Sequence, residues 1–174
     1  MRKGERMADR EDIIEVLNLY GFAMDTRRWD LFDRIFTADC DVDYGPTSSW
    51  QDREQFKTDF GTFHELFDAT QHVMTNHLVQ VDGDTAAAHT YGSWRLIRHA
   101  AGDPPVWDGS GYYDDQLVRT PEGWRVAKRT CRVVFWTGNP KVQTPMEDMV
   151  FQLDLVALHT EAREERLEFL KVIT

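Results

Sequence analysis

Ile13, Leu17, Tyr20 and Met24 recur at helical spacing, while Glu11, Glu15 and Asn18 fall on the opposite side. The pattern predicts an amphipathic helix over residues 9–24. A short second helix over 27–36, a strand over 40–44, a Gly45-Pro46 turn and a third helix over 52–67 follow. From His72 the period changes to two. Residues 72–81 and 85–99 flank Asp82-Gly83-Asp84, and an Asp-Gly turn between alternating runs is a strong hairpin signal. Residues 107–118 and 124–136 flank Thr120-Pro121-Glu122-Gly123 in the same way. Helices first and an antiparallel meander afterwards predict an α+β domain, its curved, mainly antiparallel sheet covered on one face by the N-terminal helices. That domain is assigned to residues 1–137, with 138–174 as a helical extension of it. In the extension Thr144-Pro145 is a helix-start signal. A helix from there to Leu170 places Met146, Met149, Val150, Leu153 and Val156 on one face, as a terminal helix, a subunit contact or a lid over a pocket mouth.

Strand alternation sorts the polar side chains. His72, Met74, Asn76 and Leu78 share one face and Val73, Thr75, His77 and Val79 the other, so His72 and His77 are expected to point apart. A metal site using both histidines is disfavoured, and no HExxH or Cys/His cluster occurs elsewhere. On the last strand Arg125, Ala127, Arg129, Cys131, Val133 and Phe135 share a face, which sets Arg129 among small and apolar neighbours. A guanidinium buried there needs a partner. The expectation is an acid such as Asp25, or an anionic or carbonyl oxygen on a ligand.

Composition narrows the function classes. The length of 174 residues suits one domain with a sizeable core. A net charge of -10, with basic residues only in short pairs such as Arg27-Arg28 and Lys128-Arg129, argues against nucleic acid and against anionic membranes. No apolar run approaches the roughly 20 residues of a membrane helix, and the first dozen residues are too charged for a signal peptide. Cytoplasmic residence is the expectation. Cys40 and Cys131 are isolated thiols without CxxC spacing, so neither a zinc site nor a disulfide framework is indicated.

Asp25 and His72 are the pair that looks most like chemistry. A carboxylate that accepts the Nδ1 hydrogen of an imidazole fixes its tautomer, stabilises the imidazolium and leaves Nε2 free to take a proton. Each residue also has a structural reading: Asp25 as N-cap of the helix beginning at Arg27, His72 as a satisfied core histidine.

The Tyr20-x4-Asp25 helix end, the His72-Val-Met-Thr-Asn76 strand start and the closing Gly123-Trp-Arg-Val-Ala-Lys-Arg129 resemble the SnoaL-like branch of the nuclear transport factor 2-like superfamily. Within it they are most similar to scytalone dehydratase, bile acid 7α-dehydratase and γ-hexachlorocyclohexane dehydrochlorinase. The resemblance implies a cone-shaped α+β barrel with a deep apolar pocket and no metal or organic cofactor. It further implies Asp25 and His72 as the catalytic dyad, Arg129 as a pocket cation and Tyr20 as a pocket hydroxyl. Asn76 and Cys131, on the same faces as His72 and Arg129, complete the expected substrate-binding set. Tyr20 stands where the dehydrochlorinase has a lysine, which favours a dehydratase-like pocket. The expected partners are a small hydrophobic substrate and further copies of the chain, as a trimer or dimer. The same fold also implies three alternatives: a non-catalytic subunit like the β subunit of ring-hydroxylating dioxygenases, a polyketide cyclase and a ligand-binding protein.

Overall fold

The structure, a computed structural model, describes residues 3–144 and 153–173. The first helix, α1 (Lys3–Thr26), extends beyond the predicted bounds and buries the expected stripe of Ile13, Leu17, Tyr20 and Met24. Its end is a Schellman motif. Arg27 takes a positive φ of 54°, its N–H bonds Met24 O at 3.2 Å, and the Arg28 N–H bonds Ala23 O at 3.0 Å. Asp25 therefore lies inside the last turn of α1. It does not cap a following helix.

The expected second helix is a 3-10 turn at Trp29–Leu31 followed by α2 (Phe32–Ile35), after which the chain enters β1 (Phe36–Asp43) and the short β2 (Ser49–Trp50). Asp52 caps α3 (Arg53–His64) by accepting the Gln55 N–H at 2.8 Å. Four long strands follow: β3 (Ala69–Asp82), β4 (Thr85–Ile97), β5 (Val106–Thr120) and β6 (Gly123–Gly138). The sheet order is β2-β1-β6-β5-β4-β3, with β1 parallel to β6 and every other pair antiparallel. This is an α+β fold with an unclosed six-stranded sheet whose inner face α1 covers. No described helix is long and apolar enough to cross a membrane.

Two bulges overturn the expected strand parity. Asn76 adopts φ 54° and the β3–β4 register shifts between Thr75 and Leu78, so one residue is inserted and the alternation inverts. His77 thereby turns to the same side as His72 and Met74, where its ring nitrogens lie 3.0 Å from Asn18 Oδ1 and 3.0 Å from Thr90 Oγ1. Asn76 itself is left exposed. On β6 a second shift, opposite Gln116 and Leu117, separates Trp124 and Val126 from Arg129 and Cys131, yet all four are buried. Arg125 consequently leaves the Arg129 face, and its Nε donates to Asp33 O at 3.1 Å.

The tail also departs from its pattern. The predicted helix start at Pro145, with Met146, Met149 and Val150, lies outside the described residues. Beyond it Leu155 bridges Val133 in parallel and the Val156 N–H bonds Val133 O at 3.0 Å, so this stretch is extended. Two short helices follow, α4 (Leu158–Arg163) and α5 (Glu168–Ile173). They form no continuous helix because the Asp114 carboxylate on β5 accepts the N–H groups of Glu168 and Phe169, a cap supplied by the sheet that starts α5 anew.

The β5–β6 register shifts once more between Ser110 and Gly111, and Gly111 allows this close approach, because a Cβ built there would lie 1.9 Å from Arg132 O. Gly111→Ala must push two paired strands apart. It is expected to lower stability by about 2 kcal/mol or more, a fall of roughly 4–8 °C in Tm for a chain of this size, measured by thermal unfolding.

Candidate active site

The end of α1 rests directly on β3. Gly21, one turn before Asp25, makes this possible, since a Cβ there would meet Met74 Cγ at 3.2 Å and His72 O at 3.3 Å. The contact brings the Asp25 carboxylate over Thr70 and His72, two positions on one face of β3. His72 Nδ1 lies 2.7 Å from Asp25 Oδ1, the Thr70 hydroxyl donates to the same oxygen at 2.8 Å, and the His72 backbone N–H donates to Oδ2 at 2.8 Å. Burial opposes the carboxylate charge, but the His72 ring, its backbone N–H and the Thr70 hydroxyl outweigh it and hold the carboxyl below its usual range. A negative charge in the last turn of a helix faces the wrong end of the helix dipole. These donors offset that. With Nδ1–H directed at a carboxylate, Nε2 of His72 carries a lone pair, and no group among the described residues bonds it. The ring is enclosed, with its side chain only 5% exposed.

Arg129 does not reach Asp25. Its Nε and Nη2 donate to the two oxygens of Asp115, each at 2.8 Å, and both side chains are fully buried. The guanidinium carbon lies 4.4 Å from the Tyr20 ring centroid and 4.5 Å from that of Tyr113. Burial works against its charge, and the Asp115 carboxylate more than restores it, holding the guanidinium protonated. Nη1 has no partner among the described residues. The Tyr20 hydroxyl lies 2.6 Å from that of Tyr44, and its ring meets His72 edge-on at 6.5 Å. Burial raises the pKa of both phenols while Arg129 pulls them back down, so both are neutral donors at neutral pH. Cys131 is buried beside this cluster, with its thiol pushed up to about 12 by desolvation, and is no nucleophile. Of the expected site residues, Asp25, His72, Tyr20, Arg129 and Cys131 come together on the inner face; Asn76 does not.

His64 was absent from the sequence expectation. It ends α3, is buried, and its ring centroid lies 6.2 Å from that of His72. Its Nδ1 sits 2.7 Å from Phe60 O, and burial lowers its pKa to about 4. Two further residues were not singled out from the sequence although a signal existed: Thr70, two residues before His72, falls on the His72 face once the strand is carried back to Ala69, and the Asp114-Asp115 pair inside a strand demands partners for buried carboxylates. His64 and Tyr44 carried no local signal, because only the packing of α3 and β1 brings them inward. A cleft of about 1360 Å³ opens beside the cluster, lined in part by Tyr44, Phe63, Arg132, Leu153 and Arg166. Tyr44 touches Tyr20, and the Phe63 ring lies 5.5 Å from His64, so the inner wall of the cleft is the outer wall of the site.

A family model for the SnoaL-like domain matches residues 5–130. The chain belongs to the SnoaL-like family. An uncharacterised protein of Mycobacterium tuberculosis is 34% identical over 124 residues, covering 71% of this chain and 84% of the relative. Among solved structures, a Kribbella flavida protein superposes with a TM-score of 0.75 at 26% identity, over 80% of this chain and 99% of that one. A scytalone dehydratase-like protein of Novosphingobium aromaticivorans gives 0.72 at 18% identity, over 78% and 91%. A nuclear transport factor 2-like superfamily protein of Salmonella enterica shares the fold at a TM-score of 0.64 and 16% identity, over 83% of this chain and 99% of that one. Asp25, His72 and Arg129 all fall inside the family match.

The depressed His64 pKa sets a pH dependence. Between about pH 4 and 6.5 the unfolded chain binds a proton at this residue that the native chain does not, so stability falls as the pH drops through that window. The loss approaches about 3 kcal/mol. Asp25 adds a further loss at still lower pH, as its depressed carboxyl is protonated. Urea unfolding at pH 7 and pH 4.5 is expected to show a smaller acid loss in His64→Phe than in the wild type.

Proposed function

We propose that this protein is a cofactor-independent lyase or isomerase of dehydratase type, acting on a cyclic hydrophobic small molecule. The supporting observation is the 2.7 Å contact of His72 Nδ1 with an Asp25 carboxylate whose other oxygen is tied to the His72 backbone, with Nε2 left without a partner. In this reading Nε2 removes a proton from a carbon next to a carbonyl or a leaving group, and Asp25 stabilises the imidazolium that forms. One phenol of the Tyr20–Tyr44 pair donates to the other, which leaves the second O–H to bond the substrate oxygen that gains charge or departs. Arg129 acts mainly through Tyr20. Paired to Asp115 and stacked on the phenol rings, it strengthens the hydroxyl as a donor.

The apolar character of the substrate is inferred from the side chains that pack around the polar centre, among them Met74, Trp94, Phe60 and Phe63. The fold shared with a scytalone dehydratase-like protein agrees with this reading, but the dyad carries it.

Two measurements test it. Exchange of the α-protons of 2-tetralone in D₂O, followed by NMR, is expected to be accelerated by the wild type and to return to the buffer rate in His72→Ala; undiminished acceleration in that variant would sink the assignment. Asp25→Asn keeps the shape but supplies a neutral amide in place of the carboxylate. It is expected to lower the exchange rate by about 10²-fold or more, and a wild-type rate would reduce Asp25 to a structural link between α1 and β3.

A further inference from the structure

The cleft beside the site has two walls of different construction. One belongs to the sheet, through Arg132 and Val133 of β6 and Tyr44 just after β1; the other is the returning tail, through Leu153, Val156 and Glu161. The tail comes to lie there by continuing the sheet. β1 pairs with β6 as far as Asp43 opposite Thr130, and beyond that point Leu155 takes up the freed edge at Val133.

The two halves of this tail are held very differently. α5 is seated, with Leu167 and Phe169 buried and the N–H groups of Glu168 and Phe169 bonded to the Asp114 carboxylate. In residues 153–164 the buried side chain is a carboxylate, Glu161, while Leu155 is 51% exposed and no apolar residue is buried. A stretch without a buried apolar anchor opens at low cost. Glu161 is what holds it. Its Oε1 accepts from Arg166 Nε at 3.1 Å and Nη2 at 2.5 Å, and its Oε2 accepts from the Tyr112 hydroxyl at 3.4 Å. Arg166 keeps the carboxyl below its usual range, so these are bonds to a charged group at neutral pH. Between the two lies Glu165, whose φ of 57° is a left-handed conformation that a residue with a Cβ adopts at a cost. The backbone thus turns at one strained residue, and an ion pair spans the turn.

We propose that residues 153–164 are a hinged wall that opens and closes the cleft, pivoting at Glu165 about the fixed α5 and latched shut by Glu161. When the latch releases, the Glu161 carboxylate passes from Arg166 and Tyr112 into water and the stretch around Leu155 and Val156 leaves Val133. That uncovers the sheet wall, including Tyr44, whose hydroxyl meets Tyr20. The hinge needs no assumption about His72, so it stands or falls separately from the proposed chemistry.

Hydrogen exchange of the full chain at pH 7, read by NMR at single amides, tests this. In the wild type the Val156 amide, bonded to Val133 O, is expected to exchange faster than those of Glu168 and Phe169. Glu161→Ala is expected to speed Val156 exchange about five- to tenfold, as loss of a half-exposed charged contact implies. The Glu168 and Phe169 amides are expected to keep their wild-type rates there, which also shows that the variant is folded. Glu165→Gly relieves the left-handed strain of the closed form and is expected to act in the opposite direction, slowing Val156 about fivefold. Hydroxyl-radical labelling of Tyr44 and Phe63, both in the cleft lining, is expected to rise in Glu161→Ala and to fall in Glu165→Gly. Opening of Val156 in step with Glu168 and Phe169 would make the tail one body and overturn the hinge. A Val156 rate unchanged in both variants would remove the latch and the pivot, and unchanged labelling of Tyr44 and Phe63 would mean that the cleft does not open; either result overturns the proposal.

Discussion

A guanidinium with no exposed surface has to be paired, and the Arg129–Asp115 bond at the centre of the sheet organises much of what surrounds it. The two residues are direct cross-strand partners of β6 and β5, so the pair also pins the register of the two longest strands. With Nε and Nη2 committed to Asp115, the flat faces of the guanidinium are left to the Tyr20 and Tyr113 rings. Those rings carry the hydroxyls of the inner face: Tyr20 reaches Tyr44, and Tyr113 accepts from Trp94 Nε1 at 2.5 Å. The cation thus sets where neutral donors stand without itself facing the dyad.

The dyad depends on a second constraint, the seating of a helix end on a strand. Asp25 is poorly placed for its own helix, because its charge meets the negative end of the dipole. It is stable there because three donors from β3 converge on its two oxygens. Each is fixed by strand geometry, so the carboxylate is held in one orientation and aligns the His72 ring with it. A local choice that conflicts with helix preference, satisfied only by tertiary partners, is the kind of exception that marks functional positions. The absence of a Cβ at Gly21 allows the necessary close approach.

Several features are legible in the sequence. The core stripe of α1, the Asp52 start of α3 and the two turns that divide the meander are local signals, with periods and turn residues that act within a few positions. Asp25 and His72 were legible as a pair through their resemblance to family motifs, although the segments that carry them are far apart. Other features were illegible for stated reasons. Asn76 in a left-handed conformation inserts one residue into β3, and a single insertion inverts every later side chain. Arg129 was correctly read as needing an acid, but which acid depended on strand pairing, and Asp115 lay across the ladder from it. The tail pattern suggested one helix, whereas Asp114, on a distant strand, caps a new one at Glu168.

The sequence by itself determined the order of elements, the faces they bury and the chemical types available to the site, because hydrophobic periodicity and turn chemistry are properties of neighbouring residues. Only the tertiary structure decided which of those groups meet. It brought His64 and Tyr44 beside His72 and Tyr20, tied Arg129 to Asp115 and turned Asn76 outward, because hydrogen-bond partners and bulge positions follow from how α1, α3 and the sheet pack together in space.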